Sequence, residues 1–296
     1  MKKKIQVVVG FLVGALLIWY LFKDTDWQEV GKAMHQANWW WVLLAFLLVF
    51  VTFLTRVKRW SYIVRTAQPV SFRAMFSATQ IGFLGNFTLP ARVGEVIRAV
   101  VLARLTGLSF SRCFAFVALD RLTDLFGLVV VMLLAATVFQ PDHDIVFDNI
   151  TITPEMIQQV TIGTIGTVIG VIVAFVTLYL RKDWALWLVS VTVGRVSHWL
   201  ADRLEGMLAQ FADGMHVFKS VGDMTRAITW SMITWAVGTI CYFCVLEAFA
   251  IDAPWYTAII VMAFLALAIS IPGPPGFVGT FEIGIVGAVV MVSPNT

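Results

Sequence analysis

The chain has 296 residues, 59% of them hydrophobic and only 13% charged, with a net charge of +3. Soluble domains carry about 25% charged residues, so the 12 Trp, 23 Phe and 11 Met of this chain must face something other than water. This balance excludes disordered chains, disulfide scaffolds, coiled coils and nucleic-acid binders with a basic groove, and leaves an all-α polytopic membrane protein.

From the N-terminus, Met1-Lys2-Lys3-Lys4 precedes an apolar run from Ile5 to Phe22. With no small-residue cleavage site before Lys23 and Asp24, that run is expected to remain as a first span. An amphipathic segment from Trp27 to Ala37 leads into Trp39-Trp40-Trp41, where an interfacial aromatic belt belongs. Trp39 to Thr55, Cys113 to Phe139, Met156 to Leu180 and Ala227 to Ala250 are further runs long enough to cross a bilayer, which makes about five full spans.

Sixteen of the 21 basic residues fall on the side of the N-terminus in this arrangement, five of them between Arg56 and Arg73 and six between Arg181 and Arg226. Lys23 and Lys32 fall on the other side. The bias predicts a cytoplasmic N-terminus in a cell membrane and places the last residues of this chain outside. The mixed-charge stretch 181–226 reads as a cytoplasmic amphipathic helical segment within a single membrane domain covering 1–296.

Two apolar stretches are interrupted. The first, Met75 to Leu102, contains Asn86-Phe87-Thr88-Leu89-Pro90-Ala91-Arg92-Val93-Gly94-Glu95; the second, Tyr256 to Val292, contains Pro272-Gly273-Pro274-Pro275-Gly276. Proline removes a backbone donor, and broken backbone is not tolerated against lipid. Each stretch is therefore expected to form a re-entrant helical hairpin, the two entering from opposite sides. Pro90-x-x-Val93-Gly94 and Pro275-x-x-Val278-Gly279 share a spacing, and each is followed within three residues by a glutamate, Glu95 or Glu282. Matching breaks in oppositely oriented halves predict an inverted pseudo-repeat with a transport site near the midplane.

The charges inside apolar sequence carry the functional argument, because an ionisable group at the bilayer centre costs about 2.5–3.5 kcal/mol. Arg92, Glu95 and Arg98 are spaced i, i+3, i+6, so Glu95 can pair with either arginine. Asp120 and Asp124 share a helix face, and Arg121 can bridge to Glu95 or Glu282. Glu247 adds a further acid. One explanation is a buried ion-pair network that fixes helix register. The other is a site where guanidinium forks and helix N-termini hold a lipid phosphate. Cys241 and Cys244 read as small packing residues. No metal-ligand cluster or nucleotide-binding loop is present in the sequence, so no cofactor, metal or nucleic-acid partner is expected.

Three ordered motifs resemble those of the lysylphosphatidylglycerol synthase/flippase membrane-domain family: Asn86-x-x-Leu89-Pro90-x-Arg92-x-Gly94-Glu95-x-x-Arg98, then Asp120-Arg121-x-x-Asp124, then Pro272-Gly273-x-x-Gly276-x-x-Gly279-x-x-Glu282. The resemblance implies a membrane domain that, in bifunctional members, moves aminoacylated phosphatidylglycerol between leaflets. Stand-alone relatives are flippase-like, and some are associated with glycosyl transfer on lipid carriers. It also implies that Asn86, Arg92, Glu95, Arg98, Asp120, Arg121, Asp124 and Glu282 belong to the shared core.

Two departures stand out. Pro-Gly-Pro-Pro-Gly replaces the usual Pro-Gly-Gly, and neither the aminoacyltransferase part nor the usual closing span has a counterpart within residues 1–296, so headgroup synthesis is not expected of this stretch. The expected function is a flippase-like transporter whose partner is a membrane lipid, anionic or phosphate-bearing, with aminoacylated and polyprenyl-linked lipids among the candidates. The alternatives are a membrane enzyme acting on a lipid-linked phosphate or sugar, and a non-catalytic scaffold.

Overall fold

The computed structural model describes residues 23, 25–89, 93–139, 145–147, 150–192, 206, 221–270, 277 and 280–293. Several helices begin where a short polar side chain accepts hydrogen bonds from otherwise unpaired backbone N–H groups. Asp26 does this for α1 (Trp27–Gln36), Asn38 for α2 (Trp39–Val64) and Ser71 for α3 (Phe72–Thr88). The chain continues through α4 (Gly94–Thr106) and α5 (Phe110–Val138) to a small antiparallel hairpin, β1 (Ile145–Phe147) and β2 (Ile150–Ile152), with Val146 opposite Thr151. Thr153 then caps α6 (Pro154–Leu180), whose proline occupies a position where its missing N–H costs nothing. The remaining helices are α7 (Lys182–Thr192), α8 (Val221–Ala248), α9 (Thr257–Ser270) and α10 (Thr280–Val292).

Four helical stretches are long and apolar enough to cross a membrane: Trp39–Val64, Phe110–Val138, Pro154–Val173 and Gly222–Ala248. They fall on four of the five expected spans; the first run, Ile5 to Phe22, lies outside the described residues. Of the stretch 181–226, α7 occupies the beginning and α8 starts at Val221, and most of what lies between is outside the described residues.

One boundary differs with consequence. The hydropathy of the second span ends at Thr55, yet α2 continues to Val64. It does so because Val57, Trp60, Ile63 and Val64 recur at helical spacing and are all fully buried. Arg56 and Arg59, assigned by the sequence to a cytoplasmic loop, are therefore helical and lie beside the core. That core gathers Trp60, Ile63, Met75, Leu102 and Phe116 where α2, α3, α4 and α5 meet. The earlier turns of α2 leave Leu43, Phe46, Leu47, Phe50 and Leu54 exposed, as on a helix whose solvent is hydrocarbon.

Antiparallel packing organises the rest. The Asn38 N–H donates to the Ala248 carbonyl at 2.8 Å at one end of the α2–α8 pair, and Arg65 pairs with Asp223 at the other. Between them the Thr234 hydroxyl donates to Thr55 at 2.9 Å. Helices α3 and α4 run antiparallel, with Gly82 against Arg98 and Gly85 against Gly94. A Cβ on Gly94 would strike the Gly82 carbonyl oxygen and the Asn86 amide, so the two backbones cannot approach in this way with any other residue there. Gly94→Ala should lower stability by about 1–3 kcal/mol or more, as overpacking does; a melting curve of the purified protein in detergent checks this.

A second antiparallel pair, α9 and α10, packs through Leu265 and Ala288. The two pairs meet at their ends. Phe87, near the end of α3, is edge-on to Phe277 at 5.9 Å, and Phe277 is edge-on to Phe281 of α10 at 6.1 Å. Phe277 is 8% exposed and sits at φ 56°, in the left-handed region that non-glycine residues rarely occupy. Pro90, Arg92, Pro272, Gly273, Pro275, Gly276 and Gly279, which carry the sequence breaks themselves, lie outside the described residues.

Candidate functional site

Asp120 and Asp124, one helical turn apart on α5, face the Arg59 side chain of α2. Arg59 is completely buried and donates from Nε to Asp120 Oδ1 at 2.8 Å and from Nη1 to Asp124 Oδ1 at 2.5 Å. The second oxygen of Asp120 accepts from Arg98 Nη1 of α4 at 2.7 Å. Asp120 thus lies between two guanidinium groups, itself fully buried. Arg98 is held there from behind, its guanidinium carbon 3.6 Å from the centroid of the Trp60 ring, a cation–π contact strengthened by burial. Trp60 is fixed in turn, its Nε1–H donating to the Phe116 carbonyl at 3.3 Å.

Around this sealed centre the cluster opens. Arg121 reaches Asp124 at 3.2 Å, Asp120 at 3.4 Å and Glu95 at 3.7 Å, and its side chain is 41% exposed. Arg56 approaches the same Asp124 at 3.6 Å and is 26% exposed. Helix α8 adds two polar groups one turn apart: the Ser231 hydroxyl accepts from Arg59 at 3.2 Å, and the Trp235 indole N–H donates to Asp124 at 3.1 Å. Among the described residues, four arginines, Arg56, Arg59, Arg98 and Arg121, therefore face three carboxylates, Glu95, Asp120 and Asp124.

Donors are left over. Arg59 Nη2, Arg98 Nε, Arg98 Nη2 and Arg121 Nε are buried and have no hydrogen-bond partner among the described residues. Unmet buried donors are costly, above all on charged groups, and a guanidinium fork matches the paired oxygens of a phosphate or carboxylate. Depth follows from helical rise. The Val64 end of α2 lies with the Thr106 end of α4, since the Gln68 amide donates to the Thr106 carbonyl at 3.0 Å. Arg59 is five residues from its helix end, Asp120 ten and Asp124 fourteen, which at about 1.5 Å per residue spreads the cluster from about 8 to 21 Å inward.

The structure thus brings together Glu95, Arg98, Asp120, Arg121 and Asp124 of the residues singled out in the sequence. Glu95 meets Arg121, one of the two bridges expected of that arginine, but Arg98 goes to Asp120 rather than to Glu95, because Trp60 directs its guanidinium toward α5. Asn86 stands on α3 against Gly94, with its side-chain oxygen buried. Glu282 stands half-buried in the first turn of α10, in the α9–α10 pair.

Arg56, Arg59, Ser231 and Trp235 escaped the sequence reading. The signal for the arginines was the unbroken apolar register past Thr55; counting them as loop charges concealed it. For Ser231 and Trp235 it was their i, i+4 spacing within the span Ala227 to Ala250. Gly127 completes the arrangement, since a Cβ there would run into the Trp235 indole. Trp235→Phe keeps the ring on Gly127 but removes the donor to Asp124, and should cost about 1.5–3 kcal/mol, the worth of a hydrogen bond to a charged group. Thermal melting alongside Gly127→Ala, which should displace the whole indole and destabilise at least as much, checks this.

A bundle of apolar helices, four of its described stretches long enough to cross a bilayer, around buried arginines and carboxylates defines an integral membrane protein. The lysylphosphatidylglycerol synthase TM region family matches residues 7–296, and the chain belongs to that family. It is 31% identical over 139 residues to a UPF0104 membrane protein of Pyrococcus horikoshii, covering 46% of this chain and 40% of that protein. A UPF0104 membrane protein of Methanothermobacter thermautotrophicus is 24% identical over 95% of this chain and 83% of its own length. Glycosyltransferase AglD of Haloferax volcanii is 24% identical over 99% of this chain, which spans 50% of that protein. No solved structure matches the chain.

Proposed function

We propose that this protein is a flippase-like transporter that moves an anionic or phosphate-bearing lipid between leaflets, with the headgroup received by Arg121, Arg56 and Arg98. The observation that carries this reading is the set of buried guanidinium donors with no hydrogen-bond partner among the described residues, in a cluster where, among those residues, arginines outnumber carboxylates. A network serving only to fix helix register has no use for surplus, partly exposed cations at its edge such as Arg121 and Arg56; an arriving anion does.

The cluster divides its work. Asp120 neutralises Arg59 and Arg98 and holds the helices together, while Arg121, Arg56, Glu95 and Asp124 form the open mouth. An arriving phosphate competes with Glu95 for Arg121, whose ion pair at 3.7 Å is the longest in the cluster. In this reading α3–α4 and α9–α10 are re-entrant pairs from opposite sides of the cell membrane, as in inverted-repeat transporters, and the Phe87–Phe277 contact joins the two pairs. The N-terminus is cytoplasmic, as the basic residues direct.

The similarity to glycosyltransferase AglD favours a second reading, participation in glycosyl transfer on a lipid carrier. Proteoliposomes with fluorescent phosphatidylglycerol in one leaflet separate the two. Exchange between leaflets with the lipid chemically unchanged supports transport; a new covalent product, formed when a sugar donor is supplied, supports the enzyme.

A further inference from the structure

A cavity of about 250 Å³ opens between α5, α6, α9 and α10, with none of the arginines in its lining. Its walls are apolar throughout except for Thr161, and small residues make the recess: Ala135 and Ala136 of α5 and Ala263 of α9. Ile260 and Ala263 are buried and form its floor, while Met156 and Val160 of α6 are about half exposed and form its lip. Toward Asp124 it is closed by Leu128, Val131 and Met132, which pack with the Trp235 side chain. The cavity is therefore a compartment of its own and not an extension of the charged mouth.

We propose that this cavity is a binding site for one hydrocarbon chain of a membrane lipid. Its lip lies on a helix long and apolar enough to span the bilayer, so it opens onto acyl chains. An apolar recess of this kind does not hold water, which needs two or more polar partners. Its volume is below the range of about 300–1,000 Å³ typical of sites that enclose a whole drug-sized molecule, which suits a chain and not a headgroup. Three methionines, Met132, Met156 and Met291, line it, and their unbranched thioether side chains can adjust to an occupant without a fixed shape. The inference stands independently of the headgroup site.

Photolabelling tests it. The full chain is placed in phosphatidylcholine nanodiscs that carry phosphatidylcholine with a diazirine midway along one acyl chain; the neutral phospholipid is chosen so that phosphate recognition by the arginines is not what is measured. Labelling is expected to concentrate several-fold on Met156 and Val160 relative to Leu43, Phe46, Leu47 and Phe50, which are similarly exposed on α2. Ala135→Leu and Ala263→Leu, which fill the recess, should return labelling to the α2 level while melting stays near that of the parent. Equal labelling of the two faces in the unaltered protein overturns the proposal, whether or not the filled variants fold. So does labelling that persists when the recess is filled.

Discussion

Asp120→Asn is expected to be among the most damaging single substitutions in this protein. Asp120 is fully buried and accepts from Arg59 at 2.8 Å and from Arg98 at 2.7 Å. Removing its charge leaves Arg59 with Asp124 alone and Arg98 with no carboxylate among the described residues. Breaking a buried pair by deleting one partner costs about 3–5 kcal/mol, because the other charge stays desolvated. With native stabilities of about 5–15 kcal/mol in total, the variant should show a large drop in melting temperature and poor recovery of monodisperse protein. Pairing it with Arg98→Met should recover part of the loss, since removing both charges removes the uncompensated cation. A double variant as unstable as the sum of its two single changes would contradict the coupling.

Arg121→Gln should separate function from folding. Arg121 is 41% exposed, and Asp120 and Asp124 both keep Arg59 without it, so its ion pairs should contribute no more than the roughly 0–1 kcal/mol of an exposed pair. Toward a bound phosphate it is worth more, about 1.5–3 kcal/mol for a charge-assisted contact. Each 1.4 kcal/mol is about a factor of ten. Lipid exchange in proteoliposomes should therefore fall about tenfold or more while the melting temperature stays close to that of the parent. Normal exchange in Arg121→Gln would remove Arg121 from the site; parallel loss of exchange and of folded protein would assign it a structural role instead.

The contrast between these two arginine environments shows what the sequence could and could not convey. Local spacing placed Asp120 and Asp124 on one face of α5, and that geometry depends only on helical pitch. Long apolar runs located the spans for the same reason, since bilayer thickness dictates their length. Partner choice was another matter. Glu95 and Arg98 are well spaced to pair on α4, yet Arg98 lies across Trp60 and meets Asp120, because tertiary packing offers it a buried carboxylate and an aromatic face at once. Arg59, the most completely buried charge of the cluster, looked like one of several loop cations because hydropathy averages a window. It cannot register that Val57, Trp60, Ile63 and Val64 carry the helix onward while Arg56 and Arg59 turn toward α5. The contribution of α8 was equally hidden: Trp235 donates to Asp124 across 111 residues of sequence, and only the close approach at Gly127 permits it.

The central claim is that the excess arginines of α2, α4 and α5 receive a lipid phosphate inside the bundle. The most direct test is an electron cryomicroscopy density map of the protein in nanodiscs containing phosphatidylglycerol. The account predicts phosphate density within hydrogen-bonding distance of Arg98 and Arg121, joined to lipid density that leaves the bundle through the mouth bounded by Arg56 and Glu95. A map in which every guanidinium donor is met by the protein's own side chains or by water, with no lipid headgroup among them, would contradict it.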